Sequence, residues 1–183
     1  MKTESTAKFV IRLTVTLLLI TSVVAALLAA VDSITAPKIA ALKEQKTQQA
    51  IEAVLPGGGE EMESFPDDTG LVTTVYKGEN GYAVQVAPIG FNGAVTMMVG
   101  VSNDGTVLGI SVVSQSETAG LGAICAATTS AGEAFRGQFA GLSDSVSVTK
   151  DGGQVDAISS ATITSRAICT GVNAALSCVG AMG

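Results

Sequence analysis

Residues 13–31 form an apolar run, LTVTLLLITSVVAALLAAV, of 19 residues without a charged side chain. As an α-helix, a run of this length extends over about 28 Å, close to the ~30 Å hydrocarbon core of a bilayer. It therefore predicts one transmembrane helix after a short N-terminal segment, 1–12. Lysines and arginines beside a span remain on the cytoplasmic side, so Lys2, Lys8 and Arg12 predict a cytoplasmic N-terminus and an extracytoplasmic location for everything after the span.

A cleaved signal peptide is the alternative interpretation of the same run. The apolar region of a signal peptide usually has about 7–15 residues, and this run is longer. Alanines are frequent in its second half, but no clear A-x-A cleavage site precedes Asp32. We therefore favour an anchor that the mature protein retains.

Composition excludes several classes of function. Acidic residues outnumber basic ones by 16 to 10, and no basic cluster occurs, which argues against binding to nucleic acid. The chain has no histidine, so Ser-His-Asp and Cys-His nucleophiles and histidine-ligated zinc are excluded. Three cysteines are too few for a four-thiolate metal site within the chain.

The cysteines favour no other chemistry. Cys169 and Cys178 are nine positions apart on the last predicted helix, which places them on opposite faces and prevents a bridge within that helix. A disulfide from Cys125 to either of them stays open. We interpret all three as small buried side chains.

Beyond the anchor the pattern predicts one α/β (α+β) domain on a helical stalk. The stalk covers 32–59 and contains a helix over 36–55, in which Pro37 lies in the first turn. Residues 60–70 are predicted to be a loop. The remaining predicted elements are strands at 71–76, 82–86, 95–101 and 107–113, a helix within 119–141, a short strand at Val146 and Val148, and a last helix over 166–179.

Hydroxyl side chains are concentrated just before that last helix, in the segment DAISSATITSR at 156–166. A helix N-terminus presents unpaired N–H groups and a partial positive charge, which favour a phosphate, and Arg166 would add a charge-assisted contact. This pattern is that of an anion-binding strand–turn–helix junction. A simpler alternative is that Thr164 or Ser165 caps the helix, and spacing alone favours this alternative.

These residues also resemble a known family. DAISSAT at 156–162 resembles the motif D-x-x-S-G-A-T of FMN-binding domains, in which a separate flavin transferase attaches FMN to the final threonine through a phosphoester. GFNG at 90–93, ETAGLG at 117–122, FRGQF at 135–139 and DGGQVDAI at 151–158 are similar to further segments of that family. With the anchor, the resemblance covers nearly the whole chain. It is closest to the G subunits of Rnf electron transport complexes; the C subunits of sodium-pumping NADH:quinone reductases share the domain but are generally longer.

The resemblance implies an FMN-binding domain over 60–183, with a central, mostly antiparallel sheet and flanking helices. It implies covalent FMN on Thr162, with other cofactor contacts from neighbouring residues. The implied contacts near the phosphate are Ser159, Ser160, Ala161, Thr164 and Ser165, and those near the isoalloxazine ring are Glu117, Thr118, Leu121 and Gly122. For Glu117, the alternative is a surface residue in a turn.

The resemblance also implies a role. The chain would be an electron-transfer component of an ion-translocating ferredoxin:NAD⁺ oxidoreductase in the bacterial inner membrane, with other Rnf subunits and a flavin transferase as partners. Its span contains no carboxylate, so ion transport is assigned to those partners. The alternatives are the C subunit of a sodium-translocating NADH:quinone reductase and a membrane-anchored assembly module without flavin.

Two departures from the family pattern bear on the site. Ser160 stands where the family usually has glycine, and a serine at positive φ is strained by about 1–2 kcal/mol. Ala119 stands where the family usually has proline, which loosens the loop at 117–122 without removing a contact.

Overall fold

A computed structural model describes residues 6–182. Contacts divide the chain into two units, with the boundary between Glu44 and Gln45. Helix α1 runs from Thr6 to Val54, and within the described residues it alone is long and apolar enough to cross a membrane. The prediction of a separate helix starting at residue 36 is wrong, because α1 continues through Pro37.

The apolar part of α1 has the surface that a lipid environment requires. Its large side chains from Phe9 to Val31 are exposed. The hydroxyls of Thr14, Thr16 and Thr21 donate to carbonyls of their own helix at 2.8–3.0 Å. These hydroxyls therefore need no water, and the helix is suited to the interior of a bilayer.

The second unit is built on a five-stranded sheet in the order β1-β2-β3-β4-β5, with every neighbouring pair antiparallel. The strands are Glu60–Glu61 (β1), Val72–Lys77 (β2), Gly81–Val86 (β3), Thr96–Ser102 (β4) and Val107–Ser114 (β5). The helices are Ser130–Gly137 (α2) and Thr162–Gly180 (α3), with short 3₁₀ turns at Gly122–Ala126 and Thr149–Asp151. This architecture confirms the predicted fold class.

Both faces of the sheet are covered, which explains why β4 is buried along its length. Met97, Val99 and Val101 point to the face that packs against α3, together with Phe135 and Phe139. Alternate residues point the other way. On that second face, Met98, Ala83 and Val113 pack against the end of α1 and the residue that follows it: Ala50, Ile51, Val54 and Leu55.

Two local predictions need correction. The predicted loop 60–70 contains the short strand β1, which a hydrophobic pattern cannot reveal because it consists of two exposed glutamates. Around Val148 there is a single parallel bridge to Val155 instead of a strand. All three cysteines are free and buried, which confirms their interpretation as small buried side chains; the disulfide from Cys125 that the sequence left open is not formed.

The start of α3 also differs from the prediction. The helix begins at Thr162, four residues before the predicted start, and its N-cap residue is Ala161. Thr164 and Ser165 therefore lie inside the first turn. The interpretation that one of them caps the helix is wrong, because the N-cap position is occupied by Ala161, whose side chain makes no capping hydrogen bond.

Candidate cofactor-binding site

A cavity of about 320 Å³ lies beside the start of α3. This volume is at the lower end of the range for small-molecule sites. The lining residues are Phe91, Glu117, Thr118, Leu121, Gly122, Ser160, Ala161, Thr162, Ile163 and Thr164. The fold thus brings together eight of the residues that the sequence singled out, from two segments some 40 positions apart. Ser159 and Ser165 are not among the lining residues.

Thr162 is the first residue of α3 and is half-buried at the edge of the cavity. The first backbone hydrogen bond of the helix runs from Ser165 N to Ala161 O at 3.0 Å. Because the N-cap side chain provides no acceptor, the amides of 162–164 are left for another partner. A hydroxyl at this position places anything attached to it at the positive end of the helix.

Ser165 and Ser160 shape the turn that precedes the helix. Ser165 is fully buried; its hydroxyl donates to Ala161 O and accepts from Ile158 N, both at 3.0 Å. Ser160 has a φ of 61°, and it is the one non-glycine residue with positive φ in the described chain. The serine therefore occupies a left-handed position at which glycine would be unstrained.

Glu117 is buried and joins three segments of the site. Its Oε2 accepts from the Thr164 hydroxyl at 2.5 Å, and its Oε1 accepts from the Asn92 amide at 2.9 Å. A Cβ on Gly90 would come within 2.6 Å of Oε1, and one on Gly122 within 2.5 Å of Oε2. The alternative of a surface residue in a turn is thus wrong. Gly122 is needed to make room for this carboxylate.

Charged groups lie just outside the cavity lining. Arg166, which the sequence suggested as an anion contact, makes two hydrogen bonds of 2.6 Å to Asp151, and these hold the pKa of that carboxyl below its usual value. The cation nearest to the predicted acceptor is Lys150, whose Nζ donates to Thr162 Oγ1 at 3.2 Å. Sequence reasoning missed Lys150, because the contact joins residues 12 positions apart across an irregular segment.

The apolar wall of the cavity was only partly predicted. Leu121 was expected, but Phe91 and Ile163 line the cavity as well. Their exposed fractions are 66% for Phe91, 51% for Ile163 and 40% for Leu121. Three large apolar side chains left open to solvent around one cavity fit a flat aromatic ligand. Lys150 and the uncapped amides fit a phosphate, so the residues present suit both halves of FMN.

Comparison with known proteins agrees with this geometry. The FMN-binding domain family matches residues 90–177, a range that contains the whole cavity. The chain is 34% identical to the G subunit of the ion-translocating oxidoreductase complex of Methanosarcina acetivorans, over 97% of this chain and 98% of the relative. The chain belongs to the family of these G subunits.

Two further members of the family come from other organisms. The G subunit of the Na⁺-translocating ferredoxin:NAD⁺ oxidoreductase complex of Acetobacterium woodii is 31% identical, over 91% of this chain and 89% of the relative. The G subunit of the proton-translocating ferredoxin:NAD⁺ oxidoreductase complex of Clostridium ljungdahlii is 38% identical over about half of each chain. The predicted family is thereby confirmed. The FMN-binding domain, together with α1, characterises this chain as a membrane-associated flavoprotein of electron transport.

Proposed function

We propose that this chain is the electron-carrying G subunit of an ion-translocating ferredoxin:NAD⁺ oxidoreductase and that it holds FMN as a phosphoester on Thr162. The observation that carries the proposal is the position of the Thr162 hydroxyl. It lies at the edge of a partly apolar cavity, at an uncapped helix N-terminus and within hydrogen-bond distance of a lysine.

In the proposed reaction, FAD donates FMN to the hydroxyl of Thr162. A flavin transferase would break the pyrophosphate bond of FAD, form the bond from Thr162 Oγ1 to phosphorus, release AMP and remove the hydroxyl proton. The product is a phosphodiester with one negative charge. The amides of 162–164 are placed to stabilise that charge. A covalent link also prevents loss of the cofactor on an extracytoplasmic domain, where a dissociated flavin would diffuse away.

The remaining contacts would orient the flavin. Phe91, Leu121 and Ile163 provide apolar surface for the ring, and Glu117 keeps the loop at 117–122 against α3 through its bond to Thr164. FMN supplies the redox chemistry when bound, and the protein supplies position and electrostatics. Ser159 and Ser160 would contact the tether from outside the helix, whereas Ser165 would act by fixing the turn.

The proposed partners follow from the relatives. Proteins in the family are named as subunits of complexes that use ferredoxin and NAD⁺ and that move Na⁺ or protons. We propose that this chain assembles with equivalent membrane and peripheral subunits. Similarity over nearly the full length of a G subunit favours this assignment over the C subunit of a sodium-translocating NADH:quinone reductase.

For the topology, we propose an N-terminal tail, 1–12, in the cytoplasm, a single span at 13–31, and a stalk, 32–59, that leads to an extracytoplasmic FMN-binding domain, 60–183. Support comes from the basic residues before the span. Protease added to right-side-out membrane vesicles should digest the globular domain. Digestion only in inverted vesicles would contradict this orientation.

Flavin fluorescence in a denaturing gel tests the attachment, because only a covalent flavin migrates with the unfolded chain. When the full chain is co-expressed with a flavin transferase, we expect a fluorescent band that Thr162→Ala abolishes. Thr170→Ala is the matched control, since it removes an exposed hydroxyl from the same helix, outside the cavity lining, and should leave the band in place. A band that survives Thr162→Ala would contradict the proposal. If the parent gives no band either, the proposal is wrong and the alternative function, a membrane-anchored assembly module without flavin, is favoured.

A further inference from the structure

Lys150 is placed to act on Thr162 and forms no salt bridge among the described residues, although its charge adds to that of Arg166 in lowering the pKa of the neighbouring Asp151. Its Nζ lies 3.2 Å from Thr162 Oγ1, and this is the hydrogen bond that the structure gives its ammonium group. The neighbouring carboxylate, Asp151, is engaged by both 2.6 Å bonds from Arg166. The more obvious cation of the segment is therefore already paired, whereas the lysine is directed at the predicted acceptor.

The fold holds Lys150 in this place from two sides. The 3₁₀ turn Thr149–Asp151 is attached to the segment around Val155. The contacts are the parallel bridge from Val148 to Val155 and the bond from Thr149 N to Val155 O at 2.8 Å. It is attached to α3 by the Asp151–Arg166 pair. The turn thus has fixed neighbours before and after the lysine, which keeps its backbone within side-chain reach of Thr162.

A cation beside Thr162 would neutralise the charge of a bound phosphate. A phosphate brought to Thr162 carries negative charge into a chain whose net charge is already −6. The cavity lining contains no lysine or arginine within the part of the chain that the structure describes. Backbone amides supply only partial charges, so a full positive charge near the tether has to come from just outside the lining.

We propose that Lys150 binds the phosphate of the cofactor at Thr162, first as the pyrophosphate of the incoming FAD and then as the phosphodiester. This inference rests on the proposed function. It adds a residue that raises the rate of flavin attachment and stabilises the loaded domain. In the flavin-free chain, the ammonium group orients the hydroxyl by occupying one of its lone pairs. In the loaded chain, the same group neutralises the phosphodiester charge.

The test uses the purified full chain in detergent, without flavin, mixed with FAD and a flavin transferase. The parent is compared with Lys150→Met, Lys150→Arg and the control Lys38→Met, which removes the same charge from an exposed site in the other unit. The initial rate of covalent flavin incorporation is measured by in-gel fluorescence at about 0.01 M and about 1 M salt, where the screening length differs tenfold.

We expect Lys150→Met to lower the initial rate about fivefold at low salt, because a charge-assisted contact is lost. Lys150→Arg should retain most of the rate and Lys38→Met all of it, and the difference between parent and Lys150→Met should shrink at high salt. As a second readout, loading with FMN should raise the melting temperature of the parent more than that of Lys150→Met. The flavin-free proteins should melt alike, since Lys150 is exposed.

The two proposals fail in different ways. If the parent incorporates no flavin, the assignment of Thr162 as the acceptor is wrong. If the parent and Lys150→Met incorporate flavin at the same rate with the same salt dependence, Thr162 stands and the role of Lys150 is refuted. If Lys150→Arg is as slow as Lys150→Met, or if the flavin-free Lys150→Met melts well below the parent, the lysine acts through packing and the inference is likewise overturned.

Discussion

At the scale of single residues, Ser160 is one of the two positions at which the sequence departs from the motifs it resembles, and its backbone is in a strained conformation. The serine has a φ of 61°, in the left-handed region, next to the residue proposed to carry the cofactor. An L-residue other than glycine pays about 1–2 kcal/mol there. The serine is therefore strained at a position where glycine would not be.

We predict that Ser160→Gly raises the free energy of unfolding by about 1 kcal/mol, because it relieves this strain, less the larger entropy of an unfolded glycine. Urea unfolding of the flavin-free full chain in detergent measures the change. Ser159→Gly is the control, since Ser159 does not have positive φ and should gain nothing. Equal effects of the two substitutions would show that the left-handed position is not strained.

The buried thiols predict how stability depends on pH. Burial raises the pKa of Cys125 and of Cys169 from 9.0 to about 11 each, and Glu117 adds to the effect on Cys125. Below pH 9 the thiols are neutral in both states, and their contribution to stability is fully present. Between pH 9 and 11 they ionise in the unfolded chain first, so the free energy of unfolding should fall.

A double variant, Cys125→Ala with Cys169→Ala, separates this effect from lysine and tyrosine titration. Chemical unfolding at about pH 8 and about pH 10.5 should show a larger loss of stability in the parent than in the double variant. An equal loss in both would mean that the thiols do not contribute.

At the scale of elements, the last turn of α1 packs closely against β4. A Cβ on Gly100 would overlap the carbonyl oxygen of Val54. Gly109, its register partner on β5, has open space around its α-carbon. Of these two paired glycines, only Gly100 is required by close packing.

We predict that Gly100→Ala destabilises the domain by about 1–3 kcal/mol, because the added methyl group forces the helix away from the sheet. Gly109→Ala should have little effect. Thermal or urea unfolding of the two variants beside the parent checks this pair. A Gly100→Ala chain as stable as Gly109→Ala would mean that the end of α1 does not pack on the sheet in solution.

Elements with a periodic apolar pattern could be predicted from the sequence, and those fixed by tertiary contacts could not. Strands β2 to β5 and the turn at Gly105 follow from alternation and turn residues. The start of α3 was misplaced because serines and threonines before an apolar face resemble caps. The backbone bond from Ser165 N to Ala161 O places both residues inside the helix, and their hydroxyls are bound to Ile158 and Glu117 instead of capping it.

The residues of the candidate site likewise include some that the sequence indicated and some that only the fold reveals. The resemblance supplied the loop at 117–122 and the segment at 159–165, and eight of these residues line one cavity. Lys150, Phe91 and Ile163 could not be assigned, because what brings each to the cavity is the fold and not its spacing along the chain. Arg166 is the opposite case: the sequence suggested it as an anion contact, but in the structure it is paired with Asp151, which the sequence does not reveal.

At the scale of the whole molecule, an apolar helix and an FMN-binding domain are combined in one chain of 183 residues. The helix associates the chain with the membrane, and the domain provides one site for a redox cofactor. We propose that Thr162 holds the flavin covalently, so that the anchored domain does not lose its cofactor.

Peptide mass spectrometry of the chain from cells that contain a flavin transferase tests this claim most directly. Trypsin cuts after Lys150 and Arg166 and releases the peptide 151–166, which contains all five candidate hydroxyls. We predict that this peptide is heavier by the mass of FMN less one water, and that its fragment ions place the addition on Thr162. An unmodified peptide, or an addition on Ser159, Ser160, Thr164 or Ser165, would contradict the account.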